Sequence, residues 1–487
     1  MQQFESPQGV AQPLSPRQAA DRFPRKVLLM HPAGSDMLMP VCRFGREQTS
    51  IGHYSGLELP DGRLHPKRLP SSEFQLRPFL SRNVPSLLSP EVSLIVWKNG
   101  PLPQPRTIHE FPGKKILIVG DSHYGELLRQ SLIYATQEPF DAIFVFNRYH
   151  AHWFREGQLA PVHWLPGIAT EANWAPVTSS KVRRLVMIGH QNKSHARRRS
   201  LCAELQRRGY PLEIGQCDPG KLAAVYRRAQ ISLNISLNGD ANFRMLEVTA
   251  AGGFLLADRL SEMAGVQLYY DEGFHYAAYG DLDDLCNKLD YFLSNPAEAL
   301  AIATRGQNRF TKLLNRESTL SRFWSAVDTS KTDDLFNFSS EPRHRRESFR
   351  SFGDLLNNLT IYLELQELQR TREYADVLLL PGTPRRLAMD CVDLHRLTFW
   401  TLDDDHETAA EVEAVTNLSP LRRVAAETAS TRSWDAVVGP AATAQEFRAD
   451  VTIFSDVNGA AGIQRTEKRI AQDLGFGVFR MHASEAP

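Results

Sequence analysis

Short apolar runs that alternate with helix-forming stretches constrain this chain more than any other feature. Lys26 to His31 (KVLLMH), Ser93 to Trp97 (SLIVW), Lys115 to Val119 (KILIV), Asp141 to Phe146 (DAIFVF) and Val162 to Leu165 (VHWL) each read as a strand. A helix from about Tyr124 to Thr136 follows the turn Gly120-Asp121-Ser122-His123. Continuous apolar runs of this length suit strands buried on both faces, and their alternation with helices predicts parallel α/β domains. The stretch Phe44 to Pro85 has few periodic apolar positions and reads as loop.

A second alternating series begins at Arg184 to Ile188. It continues through a basic helix over Ser194–Arg208, a strand at Leu212–Ile214, a helix at Gly220–Arg228, a strand at Ile231–Leu237, a helix at Phe243–Ala251 and a strand at Phe254–Ala257. A helical stretch runs from Asp281 to Leu314, broken at Asn295-Pro296, and Thr319 to Val327 forms a last helix. Between the two series, Pro166 to Ser180 is rich in proline and small polar residues and reads as a linker. The 487 residues therefore divide into a polar tail (1–22), a first Rossmann-like domain (23–170), a second (181–328) and a linker with a small α/β extension (329–487). In that extension Leu355–Tyr374 reads as an amphipathic helix. Asp376–Leu380, Ala436–Val438 and Val451–Phe454 read as strands, and Gly439-Pro440 and Asp456 to Gly459 as turns.

Composition removes several function classes. The 56 basic and 56 acidic side chains balance, whereas a dedicated nucleic-acid binder carries a basic excess. The five cysteines are scattered and never form C-x-x-C, so neither a disulfide framework nor a zinc site is expected. The tail lacks the apolar core of a signal peptide, and no apolar run reaches the roughly 18 residues of a membrane span; a cytoplasmic location follows as an expectation. G-x-G-x-x-G and G-K-[ST] phosphate loops are both absent.

The chemistry concentrates in Ile231 to Asp258, ISLNISLNGDANFRMLEVTAAGGFLLAD. A strand enters an Asn238-Gly239-Asp240 loop that opens a helix, whose unpaired N–H groups and positive dipole end suit a diphosphate. Asp240 or Asn242 can cap that helix. Arg244 lies in the first turn, where a guanidinium forks onto phosphate oxygens. Glu247 lies three positions on, where a carboxylate suits two neighbouring ribose hydroxyls. Gly252-Gly253 ends the helix. The bland alternative is an Arg and a Glu that are merely paired or solvated on a helix.

The run N-x-R-x-x-E-x-x-A-x-G-x-F-L-L-x-D from Asn242 to Asp258 resembles the CgeB-like (spore-maturation-protein-like) glycosyltransferases, relatives of the retaining group 1 glycosyltransferases. More weakly, the resemblance extends from about Lys114 to Val327 and takes in GDSHYGELL at Gly120 and PFDAIFVFNRYHAHWF at Pro139. It implies a GT-B fold, with two Rossmann-like domains facing a cleft, the donor on the second and the acceptor on the first. The implied activity is hexose transfer with retention from a nucleotide-diphosphate sugar, a UDP-sugar foremost. That donor is a substrate, and no cofactor or metal is required.

In the superfamily this helix carries an E-x7-E pair. Glu247 matches the second glutamate, and Gly239 falls where the first is expected, unless Asp240 stands in for it. The resemblance places a basic pair in the loop and helix after the second domain's first strand; Lys193 with Arg197 or Arg198 matches it, against the alternative of a solvated basic helix face. Asp121 and His123 follow a first-domain strand, where they contact the transferring sugar or the acceptor or simply stabilise the turn. His150 and His152 form an H-x-H at a strand end, read as packing or acceptor contact in the absence of a third metal ligand. The acceptor stays open between protein, glycan and small molecule. Two rival readings stand beside sugar transfer: a GT-B-like binding or scaffold protein without turnover, and another sugar-nucleotide enzyme such as an epimerase.

Overall fold

The computed structural model describes residues 23–31, 43–52, 56–98, 104–122, 126–157, 159–167, 177–178, 181–189, 191, 195–237, 239–330, 352–372, 374–381, 396–404, 421–439, 444, 447–455 and 461–465. The expected tail and most of the expected interdomain linker lie outside them.

The first sheet is assembled from β1 (Lys26–His31), β2 (Glu47–Gly52), β3 (Gly56–Glu58), β4 (Leu64–His65), β6 (Val92–Lys98), β8 (Lys115–Val119), β9 (Ala142–Val145) and β10 (Val162–Trp164). A two-stranded ribbon, β5 (Phe74–Gln75) with β7 (Pro105–Arg106), lies outside it. Its order is β10-β9-β8-β6-β1-β2-β3-β4, parallel from β10 to β2 and antiparallel beyond. Helices α1 (Leu76–Asn83), α2 (Glu126–Gln137) and α3 (Ala151–Glu156) accompany it. The strands expected at Lys26–His31 and Lys115–Val119 have those bounds.

The stretch read as loop between Phe44 and Pro85 instead supplies three strands of this sheet and α1. Its strand β2, EQTSIG, is polar in sequence yet buried from Gln48 onward. Gln48 reconciles the two: its Oε1 accepts from the Phe44 amide at 2.8 Å and its Nε2 donates to Ser50 Oγ at 2.9 Å. Buried polar groups that bond one another carry little desolvation cost.

The second sheet comprises β11 (Val182–Ile188), β12 (Leu212–Gly215), β13 (Ala229–Asn234), β14 (Leu255–Asp258) and β15 (Ala277–Tyr279), all parallel in the order β12-β11-β13-β14-β15. Between these strands run α4 (Ala196–Arg207), α5 (Pro219–Arg228) and α6 (Phe243–Ala250). After them come α7 (Leu282–Ser294), α8 (Pro296–Leu313) and α9 (Arg316–Thr329), and Pro296 opens α8, as the Asn-Pro break predicts. Although α9 follows the second sheet in sequence, it packs on the first. Leu320, Phe323, Trp324 and Val327 share one core with Val27, Leu29, Ile95 and Phe144. Trp324 Nε1 donates to the Phe44 carbonyl at 2.7 Å.

The third sheet follows α10 (Phe352–Thr371) and contains β16 (Ala375–Leu379), β17 (Leu397–Leu402), β18 (Leu421–Val424), β19 (Ser433–Gly439), β20 (Arg448–Ser455) and β21 (Ala461–Arg465), with α11 (Ala426–Thr431) before β19. Six strands replace the three read from sequence. α10 buries most of its surface: Leu355, Leu359, Ile361, Tyr362, Leu365, Leu368 and the polar Gln366 and Gln369 are all buried, while Leu356, Thr360, Glu364 and Glu367 form one partly exposed stripe, so among the described residues the helix is amphipathic with a narrow open face. No helix among the described residues is long and apolar enough to cross a membrane.

Candidate functional site

β13 is central in the second sheet and buried along its whole length, so its last side chain, Asn234, has no solvent exposure. Beyond it the chain closes on itself before α6 begins. The Ser236 amide and hydroxyl both donate to Asp258, at 2.9 and 2.6 Å. The Leu237 amide donates to Asp240 Oδ1 at 2.9 Å. Asn242, and not Asp240, caps the helix, its Oδ1 accepting from the Arg244 amide at 3.1 Å. Three amides ahead of and at the start of α6 are therefore held by side chains, that of Ser236 by Asp258 of β14 and those of Leu237 and Arg244 by Asp240 and Asn242. At the far end, Gly252 and Gly253 donate to the Thr249 and Val248 carbonyls, the paired bonds of a Schellman motif.

Gly239 has φ +79°, left-handed backbone in which a glutamate would be strained. Of the two caps that the sequence allows, Asn242 is the one used, and Asp240 is buried with its carboxylate bracing the turn.

Arg244 is half-buried in the first turn of α6, which holds no acidic residue. Its Nη1 donates to Asn234 Oδ1 at 2.8 Å. Its buried Nε, and the Nδ2 of Asn234, have no hydrogen-bond partner among the described residues. Tyr226, near the end of α5 and 1% exposed, has its phenol within electrostatic reach of Arg244 and Glu247. Burial pushes that phenol up, while the guanidinium acts in the opposite sense. Glu247 is half-buried, and desolvation raises its carboxyl pKa against the opposing pull of Arg244. Arg244 and Glu247 form no ion pair among the described residues. Sequence reasoning found these two and missed Asn234 and Tyr226. An Asn closing a buried strand was the available signal for the first; the tyrosine's spacing gave none.

Arg197 and Arg198 lie in the first turn of α4, the former half-buried and the latter buried, and both engage other groups of the protein. Lys193, Asn238 and His123 lie outside the described residues. Asp121 is half-buried on the turn after β8. Beside it Ser122 is buried, with its Oγ 2.8 Å from His150 Nδ1 and accepting from Asn147 Nδ2 at 3.2 Å. His150 and His152 are not at a strand end: one closes a 3-10 turn (Arg148–His150) and the other lies in α3, both buried. No group of three or more metal-binding side chains occurs among the described residues.

The first and second sheets meet beside Arg244. Phe243 packs edge-on to Phe146 with ring centroids 5.2 Å apart. Gly167, at φ +111°, abuts the same ring so closely that a Cβ would lie 2.7 Å from it. Nearby, Arg148 Nη1 donates to the Met263 carbonyl at 3.4 Å, and a Cβ on Gly265 would lie 2.5 Å from Arg148 Cδ.

The fold and site thus define a doubly wound α/β domain whose third strand delivers an arginine-bearing helix start to the carboxyl edge of its sheet. Residues 185–320, which contain that unit, match the family described as glycosyl transferase-like. No curated protein matches the sequence. Similar solved structures include the sucrose-phosphate synthase of Thermosynechococcus elongatus, 13% identical with a TM-score of 0.44 over 63% of this chain and 99% of that one. HepE of Anabaena, solved in complex with UDP-glucose, is 10% identical with a TM-score of 0.44 over 62% of this chain and 99% of its own. A glycosyltransferase of Rickettsia africae is 12% identical with a TM-score of 0.40 over 62% and 98%.

Proposed function

We propose that this protein is a cytoplasmic GT-B glycosyltransferase that moves a hexose from a nucleotide-diphosphate sugar, a UDP-sugar, to an acceptor with retention of configuration. The observation that carries the reading is Arg244, held at the start of α6 by Asn234, with the half-buried Glu247 one turn further along the helix. An arginine in a first helical turn opposes the helix dipole, which disfavours a cation there by about 0.3–1 kcal/mol. A bound diphosphate turns that opposition into attraction. The glycosyl transferase-like match over 185–320 supports the same assignment.

In this reading Arg244 forks onto the diphosphate and stabilises the negative charge that grows as the glycosidic bond breaks. Glu247 accepts from the ribose hydroxyls, and a leaving phosphate oxygen accepts the acceptor's proton. Guanidinium charge takes the place of a metal ion. Lys193 and Arg197 or Arg198 are the sequence-level candidates for a further phosphate contact, and Asp121 and His123 for the acceptor side.

A thermal-shift screen with UDP, GDP, ADP and their sugar conjugates tests the donor, because a ligand that binds only the native state raises the melting temperature. UDP and a UDP-hexose are expected to stabilise the chain, and R244A to abolish that response and donor hydrolysis while melting as a folded protein. Unchanged hydrolysis in R244A refutes the assignment. The left-handed Gly239 favours one rival, a sugar-nucleotide-binding protein without turnover, since the sugar-side carboxylate is absent there. Tight UDP-sugar binding with no release of free UDP establishes that rival.

A further inference from the structure

The first turn is the least self-supporting part of a helix, because its amides have no carbonyl of their own helix to bond. In α6 one of them is capped by Asn242, and Asn234 holds the head of Arg244. A cap and one bond to a long side chain fix the roll of that turn about its axis only weakly. Phe243 supplies the missing restraint, and it does so from outside its own sheet. Its ring packs edge-on to Phe146, just past β9 of the first sheet, at a centroid distance of 5.2 Å and an interplanar angle of 83°. Gly167, three residues past β10, closes on the same face of α6: a Cβ there would lie 2.7 Å from Phe243 Cε1 and 3.2 Å from Leu246 Cδ1. Residues three apart are neighbours on a helix surface, so Phe243 and Leu246 present one apolar face to the first sheet.

Phe146 is itself well anchored. Its ring stands edge-on to Trp97 of β6, with centroids 5.5 Å apart, and its carbonyl accepts from Trp164 Nε1 of β10 at 3.0 Å. It packs against the core of the first sheet that α9 also completes. Trp164 makes a second crossing between the sheets: a Cβ on Gly265 would lie 2.8 Å from its Cη2, and its ring centroid lies 6.0 Å from that of Tyr269. The seam between the two sheets therefore has two footholds, and one of them is the residue before Arg244.

Successive helical residues point about 100° apart around the axis. A roll that took Phe243 off Phe146 would carry Arg244 away from Asn234, and would swing Glu247 on the next turn with it. Given the donor site proposed for α6, we infer that Phe146 is a positioning residue for that site: through Phe243 it sets the angle at which α6 presents Arg244 and Glu247. Nucleotide affinity then depends on a residue of the other sheet whose side chain has no polar group to offer a phosphate or a ribose. The coupling is reciprocal, so a bound diphosphate firms the contact between Phe146 and Phe243.

Calorimetric titration of the full chain with UDP, well below its melting temperature, tests the coupling in wild type, F146A, F146L, F243A and F146A/F243A. F146A and F243A should each raise Kd about two- to ten-fold, the range that one aromatic pair supports. Because the two act through one contact, F146A/F243A should bind within about two-fold of F243A alone. F146L keeps most of the apolar volume and should recover part of the loss. A role confined to stability lowers the melting temperature of F146A and leaves Kd where it was. That result overturns the inference, as do effects of F146A and F243A that simply add. Wild type that takes up no UDP refutes the donor assignment instead, and hydrogen exchange then decides the contact by itself. F146A should speed exchange of the 245–250 amides with the strands of the second sheet unchanged, and equal exchange in the two proteins overturns the contact's role.

Discussion

Asn234 offers a test in which folding and ligand binding separate. Its Oδ1 holds Arg244 at 2.8 Å while its Nδ2 is buried without a partner among the described residues. A hydrogen bond to a charged group contributes about 1.5–3 kcal/mol, and an unsatisfied buried donor costs about 1–3 kcal/mol. N234A removes both, so the opposing effects nearly cancel and the melting temperature should move by only a few degrees. Binding has no such compensation. A freed Arg244 must be ordered again by the ligand, at a cost of up to about 2 kcal/mol in side-chain entropy. That cost corresponds to a roughly 10- to 30-fold rise in Kd for UDP. N234D instead places a carboxylate against the guanidinium, and two such charges about 4 Å apart attract by about 4 kcal/mol at an effective dielectric near 20. That attraction competes directly with the diphosphate. Calorimetric titration with UDP should therefore rank wild type above N234A and N234A above N234D, with N234D still folded. UDP bound by N234D as tightly as by wild type refutes the role given to Arg244 and Asn234 together.

Glu247 sets a pH dependence. Burial raises its folded pKa above the unfolded one, so the folded chain holds more protons between the two, and its stability contribution falls as pH rises through the folded value. Only the carboxylate accepts from both ribose hydroxyls, so UDP affinity should rise over the same window; titrations across pH should show this in wild type and a flat profile in E247Q. Lys98 is buried at the end of β6, and desolvation, reinforced by Arg106, lowers its pKa to about 8. The unfolded chain binds more protons between that pH and about 10.4, so stability should rise across this interval, and K98M should raise stability near neutrality by about 1–3 kcal/mol in denaturant titrations. In G167A the new Cβ meets the Phe243 ring in left-handed backbone, which should cost about 1–3 kcal/mol. Phe243 also begins α6, so KM for the donor should rise in the same variant.

The two α/β series were legible because parallel strands covered on both faces must be apolar throughout, as in KVLLMH and KILIV. β2 escaped because Gln48 and Ser50 satisfy one another inside the sheet, an arrangement that has no one-dimensional signature. At the site, Arg244 and Glu247 were readable from their helical spacing. Asn234 acts from a neighbouring strand, and only the folded chain brings it to Arg244.

The return of α9 to the first sheet has a practical consequence for anyone cutting this protein into pieces. A fragment that starts at residue 181 and keeps α9 would present Leu320, Phe323, Trp324 and Val327 with their binding surface left behind on the other fragment. Such a piece should self-associate in solution, whereas one that stops at Leu313 loses no contact made by this apolar stripe. Conversely, a first-sheet fragment ending near residue 167 would be completed by a synthetic peptide of 316–329, so the helix can serve as a detachable plug for split-protein reassembly.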